Sequence, residues 1–338
     1  MPPTNTASAI AHPNIALIKY WGNRDETLRL PANGSISMTL GGLETQTTVS
    51  FDPDLSADEL LFNGLPAAEV ALGRVHTHLD YIRSISGTKA SAHVISRSNF
   101  PAGRGIASSA AAFAALTVAA CAAAGVDLSP RDLSRIARRG SGSACRSIFG
   151  GFVEWHTGVD EPDSYSEAIA GPDHWELVDL IAVVSRHSKA VGSTEGHARA
   201  TSSPLQAGRV ADAPRRLALC REAILARDFS GLAKIAELDS NMMHSVMMTS
   251  EPQLSYWMPE TIRLMDSVRE WRSAGAKVFF TIDAGPNVHC LCSAAEQEEL
   301  SSRLRDVPGV HNVLSATVGG PARLVAAAEG QGPLAAMI

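Results

Sequence analysis

From Ile106 to Val126 the chain carries no charge over 21 residues, and eleven of the twenty residues from Ile106 to Gly125 are alanine. That length would cross a bilayer. However, Ser108 and Ser109 open the stretch, Thr117 sits inside it, and large apolar residues are few. The reading is therefore a buried helix of a soluble protein, packed tightly because its side chains are small. Gly125 offers a left-handed stop at little cost. Directly ahead lies Pro101-Ala-Gly-Arg-Gly105. Glycines let a backbone approach a ligand closely, and the helix that follows presents free N–H groups and a positive dipole end. The pair suits the phosphates of a nucleotide; the plain alternative is a helix start with tight glycine packing. Neither the G-x-x-x-x-G-K-[ST] loop nor the G-x-G-x-x-G fingerprint is present.

A chain of 338 residues suggests about two domains. The net charge of −6 excludes a generally basic nucleic-acid binder, but leaves room for a local basic pocket. With 45% hydrophobic and 19% charged residues, extensive disorder is not expected. The five cysteines are odd in number and irregularly spaced, as in reduced thiols of a cytosolic protein. Cys290-x-Cys292 lacks the second pair of a zinc site and reads as two strand positions. Met1–Ser8 has no signal-peptide pattern, so the expected location is the cytoplasm, with neither membrane nor nucleic acid as partner.

Residues 8–20 and 35–51 read as strands, the latter turning at Gly41-Gly42. Further strands are expected at 60–63, 90–96, 177–184, 277–282, 288–292 and 312–317. Helices are expected at 69–86, 132–139, 215–241, 256–273 and 294–304. Ser129-Pro130 starts the second of these. Residues 185–215, rich in Ser, Gly, Thr, His and Pro, read as a polar connector or loop and a domain boundary. Without regular β-α-β alternation, the class is α+β.

Three more segments carry chemistry. Arg138-Arg139-Gly-Ser-Gly-Ser-Ala-Cys-Arg146 suits phosphate or carboxylate recognition, or forms a solvated basic loop. Asp283-Ala-Gly-Pro-Asn287 places an acid at a strand end, where it can deprotonate a hydroxyl, or is a hairpin turn. In Asn14-Ile-Ala-Leu-Ile-Lys-Tyr-Trp-Gly-Asn23, Lys19 interrupts an apolar run and needs a partner, unless it snorkels at the strand end.

Together with Pro31-Ala-Asn-Gly-Ser-Ile-Ser37 and Gly150-Gly-Phe-Val-Glu-Trp155, these segments resemble, in order, the GHMP kinase superfamily and within it the mevalonate diphosphate decarboxylases. The resemblance implies two α+β domains with the active site between them, an N-terminal ATP-binding domain over 1–185, a C-terminal domain over 186–338, and a homodimer. It implies ATP and Mg2+ as cofactors and a phosphorylated mevalonate as small-molecule substrate. The 3-hydroxyl is phosphorylated, and phosphate and CO2 then leave. Asp283, Lys19 and Arg146 take the catalytic places: base, lysine near the transferred phosphate, and holder of the carboxylate. Ser96, Gly103, Gly105, Ala107, Ser108 and Ser109 fall at nucleotide positions, with Ser108 also at the metal. Asn14, Tyr20, Ser141, Ser143, Arg146 and Ser193 fall at substrate positions.

Three departures stand out. Asn23 and Thr194 stand where the family usually carries cations that meet the substrate's terminal phosphate. Two lost charge-assisted contacts remove about 1.5 to 3 kcal/mol each. The expectation is a preference for mevalonate 5-phosphate, giving isopentenyl phosphate, with the 5-diphosphate as the alternative. Lys189 and Arg199 are candidate replacements. Arg104 stands at a usually small position in the phosphate loop. A 3-kinase that retains the carboxylate and a non-catalytic sensor are the rival readings.

Overall fold

The structure is a computed structural model that describes residues 5–100, 108–185 and 191–326. Its strands are β1 (Thr6–Ala11), β2 (Asn14–Ile18), β3 (Asn23–Asp25), β4 (Leu30–Pro31), β5 (Ser35–Gly41), β6 (Thr45–Asp52), β7 (Glu59–Phe62), β8 (Leu65–Pro66), β9 (Ser91–Ser98), β10 (Phe152–Trp155), β11 (Ser166–Ala170), β12 (Leu177–Val183), β13 (Val278–Thr281), β14 (Val288–Ser293), β15 (Asn312–Val318) and β16 (Arg323–Val325). Its helices are α1 (Glu69–Ser86), α2 (Ser108–Ala123), α3 (Pro130–Gly140), α4 (Ser193–Arg199), α5 (Gln206–Ala211), α6 (Ala213–Ala226), α7 (Phe229–Met248), α8 (Pro259–Ser273) and α9 (Gln297–Asp306). The mixture agrees with the α+β expectation.

Two large sheets organise the chain. One runs β16-β1-β6-β9-β7-β8; the other runs β11-β10-β5-β15-β12-β14-β13, with β2 beside β5. The second sheet joins early and late sequence: Val318 pairs with Leu40 and Thr317 with Gly41. β12 lies between β15 and β14, and β16 returns to pair with β1.

The alanine helix α2 packs on β1 and β6. Nearly every one of its residues is buried, and Phe113 and Leu116 supply the bulk among alanines. Small side chains let a helix lie close to a sheet without voids. No described helix is long and apolar enough to cross a membrane. Gly125 takes φ +73°, as a helix stop requires. Ser129 caps α3 by accepting from the Asp132 N–H at 3.2 Å.

Two expectations need correction. The stretch read as a connector holds α4 and α5, while residues 186–190 lie outside the described residues. Tertiary contact overrides weak propensity here: Gly196 lies against the Trp21 indole, and Gln206 and Arg209 are buried. The helix expected over 215–241 is two helices. The chain breaks at Arg227, which takes φ +55°, and Asp228 caps α7 through the Gly231 N–H at 3.0 Å. Cys290 and Cys292 are free, buried strand positions facing one apolar cluster. No group of metal-ligating side chains occurs among the described residues.

Candidate active site

β2 is buried at every position and pairs with β5, with a register shift between Ala16 and Ile18. Lys19 follows immediately, held by its own main chain. Its N–H donates to Asp239 Oδ1 at 2.8 Å. Its carbonyl accepts from Arg209 Nη2 at 2.7 Å and Asn33 Nδ2 at 3.0 Å. Asp239 also accepts from Arg216 Nε at 2.6 Å, and Arg209, Arg216 and Asp239 are all within 1% of fully buried. A buried charge cluster thus fixes where the lysine leaves the strand.

The Lys19 ammonium lies 2.5 Å from Asp283 Oδ1. Asp283 opens the β13–β14 loop, anchored by Ile282 N–H to Ser240 Oγ at 3.0 Å. Burial lowers the Lys19 pKa, although Asp283 and Asp239 oppose this. For Asp283 burial works upward, but the charges of Lys19 and His289 hold the carboxyl below its ordinary range. His289 is a buried partner of Asp179 at 2.6 Å. Asp283 is therefore an ionised acceptor at neutral pH, beside a buried ammonium.

Arg146 follows α3 in a 3-10 turn, Gly142–Ile148. Its guanidinium donates only to neutral groups: Ser35 Oγ at 2.6 Å, Ser37 Oγ at 3.0 Å and Asn14 Oδ1 at 3.1 Å. Asn14 is itself fixed by Ser147 Oγ at 2.7 Å and the Ser143 carbonyl at 3.1 Å. Arg146 forms no ion pair among the described residues, so its charge remains available to an anion.

These groups line one cavity of about 710 Å3. Asn14, Lys19, Tyr20, Ser108, Ser109, Ser141, Ser143, Arg146, Ser193 and Asp283 all border it. A second cavity of about 580 Å3 is walled by Leu60, Phe62, Val94 and Leu116, with Ser96 and Thr47 as polar points. The cavities share Arg74, Ser108 and Ser109. An apolar chamber that opens through hydroxyls and a guanidinium into a cationic one fits a nucleoside with its phosphates leading to the second compound. Gly103, Arg104, Gly105, Ala107 and Lys189 lie outside the described residues.

Several basic residues have other employment. Arg138 is buried, paired with Glu161 at 2.8 Å and bonded to the carbonyls of Leu28 and Ser164. Arg139 covers the Tyr81 ring at 3.8 Å. Neither borders the cavity. Arg199 pairs with Glu195 and does not replace a missing cation. Thr194 borders the cavity; Asn23 does not. Its amide donates to Glu26 at 2.7 Å, and its carbonyl accepts from the Tyr20 hydroxyl.

Sequence reasoning missed Arg29, Arg74 and His197, which line the cavity, and Asp239 behind it. His197 stacks on Tyr20 at 4.1 Å, and its Nδ1 accepts from the Gly22 N–H at 2.9 Å. Gly142 makes room for Tyr20, since a Cβ there would lie 2.5 Å from the ring. No motif marks these positions; an arginine in a turn or on a helix resembles a solvated one.

The same architecture recurs in known proteins. Residues 11–166 match the diphosphomevalonate decarboxylase-like N-terminal domain, and residues 179–330 match the mevalonate 5-diphosphate decarboxylase C-terminal domain. The diphosphomevalonate decarboxylase of Candida albicans is 36% identical, with 97% of each chain covered. That of Homo sapiens is 39% identical, covering 84% of this chain and 76% of its own. The mevalonate diphosphate decarboxylase of Staphylococcus aureus superposes with a TM-score of 0.91 at 34% identity, covering 95% and 98% of the two chains. The enzyme abbreviated MDDEF, solved with MVAPP, AMPPCP and magnesium, gives 0.90 at 37% identity, also covering 95% and 98%. With both domain families matched in order and nearly the whole length aligned, the chain belongs to the mevalonate diphosphate decarboxylase family of the GHMP kinase superfamily.

Proposed function

We propose that the chain uses ATP to convert mevalonate 5-diphosphate into isopentenyl diphosphate, phosphate and CO2. The carrying observation is the Lys19–Asp283 pair facing the same cavity as Arg146, a buried guanidinium with no carboxylate partner among the described residues. Asp283 accepts the proton of the 3-hydroxyl as its oxygen takes the γ-phosphoryl group. Lys19 and the hydroxyls of Ser108 and Ser109 neutralise and align the transferring group. Arg146 holds the carboxylate, with Asn14 fixing Arg146. The C3–O bond then breaks with phosphate leaving, the bond to the carboxyl carbon breaks, and its electrons form the alkene. The oxygen donors bordering the main cavity include the Ser108 and Ser109 hydroxyls at its junction with the apolar chamber and, elsewhere on its wall, the Asp283 carboxylate, hard oxygens that suit Mg2+ alongside phosphates and water. When bound, the ion neutralises phosphate charge.

The relatives named above are diphosphate enzymes, so the expected preference for the 5-monophosphate gives way to the diphosphate reading. The five free, buried cysteines suit a reducing cytoplasm, and a homodimer remains part of the proposal. The test is a product assay with the 5-monophosphate and 5-diphosphate that follows ADP and CO2 together. ADP without CO2 would reveal a kinase. No ADP with either ester would leave a sensor. A higher kcat/KM for the monophosphate would overturn the diphosphate assignment.

A further inference from the structure

We propose that Arg29 determines substrate specificity by gripping the terminal phosphoryl group of the 5-diphosphate, from the turn of the β3–β4 hairpin. Arg29 takes φ +50°, a conformation few L residues adopt. The turn is tied by the Leu28 N–H to Asp25 Oδ1 at 2.8 Å. Arg29 Nε donates to the Arg139 carbonyl at 3.0 Å, and the side chain borders the 710 Å3 cavity.

The partners of its charge are the telling feature. Arg83, Arg135, Arg138, Arg216, Arg221 and Arg272 each meet a carboxylate. Arg29 meets none among the described residues, and neither does Arg74. Arg74 Nη2 donates to the Gly140 carbonyl at 3.1 Å, while its Nε is buried without a partner. The two cations reinforce each other's field: burial, then Arg29, lowers the Arg74 pKa. Burial, then Arg139, Arg29 and Arg74, pushes the His78 imidazole down to about 3. Cations gathered without counter-ions call for an anion.

Position separates the two. Arg74 borders both cavities, whereas Arg29 borders only the one holding Lys19, Asp283 and Arg146. The anion at Arg29 therefore belongs to the second substrate rather than to the nucleotide. Both anchoring carbonyls lie at the end of α3, directly before Ser141, so the phosphoryl group would sit among Arg29, Ser141 and Tyr20. Asn23, on strand β3 of the hairpin, is bound to Glu26 and Tyr20. The cation absent at position 23 is thus supplied six residues later.

This inference rests on the diphosphate reading, and the experiment separates the two. Wild-type kcat/KM with each 5-phosphate ester tests that reading alone. Arg29→Gly, which accepts φ +50° without strain, tests the arginine. Its KM for mevalonate 5-diphosphate should rise roughly ten- to hundredfold. KM for ATP should stay within about twofold and KM for the monophosphate within about threefold. Adding Asn23→Lys should restore much of the lost affinity for the diphosphate, which a merely structural defect would not allow; an unchanged melting temperature confirms folding. An unchanged KM for the diphosphate overturns the proposal. So does an equal rise for ATP, which would place the arginine on the nucleotide, or an equal rise for the monophosphate, which would place it on the first phosphate.

Discussion

Replacing Asp239 by asparagine keeps the shape and removes the charge at the centre of the cluster behind Lys19. The carboxylate is fully buried, with one oxygen 2.8 Å from the Lys19 amide nitrogen and the other 2.6 Å from Arg216 Nε. Arg209 Nη2 stands 3.7 Å away. Both oxygens face donors, so the new NH2 must oppose an N–H on one side. Arg216 keeps Asp212 at 2.7 Å, but Arg209 loses its only carboxylate among the described residues. Removing one member of a buried pair costs about 3–5 kcal/mol, because the charge left behind stays desolvated. That is a large part of the roughly 5–15 kcal/mol available to a folded chain. The strand end carrying Lys19 loosens with it, so kcat should fall by about ten- to hundredfold through misplacement of the ammonium against Asp283. Urea unfolding, with turnover measured at a temperature where the variant stays folded, provides the assay. Asp212→Asn, at a partly exposed carboxylate, is the control and should cost less than about 1 kcal/mol. If Asp239→Asn stays within about 1 kcal/mol of the parent, with kcat unchanged, the cluster does not position the lysine.

Three further outcomes follow from the site. Asp283→Asn should lower kcat by about 10²–10⁴-fold with KM little changed, read as ADP release; full turnover would remove Asp283 from the chemistry. The pH profile of kcat at saturating substrate tests the Lys19–Asp283 pair. Asp283 is active when ionised and lies below the ordinary 3.8, so the acid limb from this group should appear only below that value. Lys19 is active when protonated and lies below the ordinary 10.5, so activity should fall with rising pH before that value is reached. Ala112→Leu adds bulk in the apolar cavity alone, so KM for ATP should rise about tenfold while KM for the mevalonate ester holds; equal changes in both would contradict separate chambers.

The elements that follow one rule were legible in the sequence. Alternation marks β5 and β6, and small uncharged residues mark α2. The Ser129 cap is legible because its side chain satisfies a first-turn N–H, whereas the Asp228 cap and the break before it are not, because the apolar spacing runs on through Arg227. The helices α4 and α5 were hidden because their stability comes from distant partners, Trp21 for Gly196 and Asn33 for Arg209. The same division holds in the site. Lys19, Arg146 and Asp283 sit in recognisable strings, but Asp239, on a helix between Leu238 and Ser240, looks like any polar position until its two donors and the neighbouring Arg209 are known.

The cations of the cleft show why a motif read one position at a time misjudges affinity. An asparagine at 23 looks like a lost phosphate contact only if position 23 is the sole route by which charge can enter the cavity. Among the described residues Lys19, Arg29, Arg74 and Arg146 all border that cavity. Lys19 is matched by Asp283, while the three arginines are unmatched by any carboxylate. Arg146 lies beside Asn14 and Arg74 at the junction of the two cavities, so under the proposed function the guanidinium of Arg29 is the one left for the substrate's remaining anion. An anion in the cavity feels the summed field of these cations, so a guanidinium from the hairpin turn can stand in for a cation on β3. On the proposed reading substrate choice is set by where unpaired charge converges, and three residues scattered at 29, 74 and 146 converge only once β3–β4, α1 and the turn after α3 are folded together.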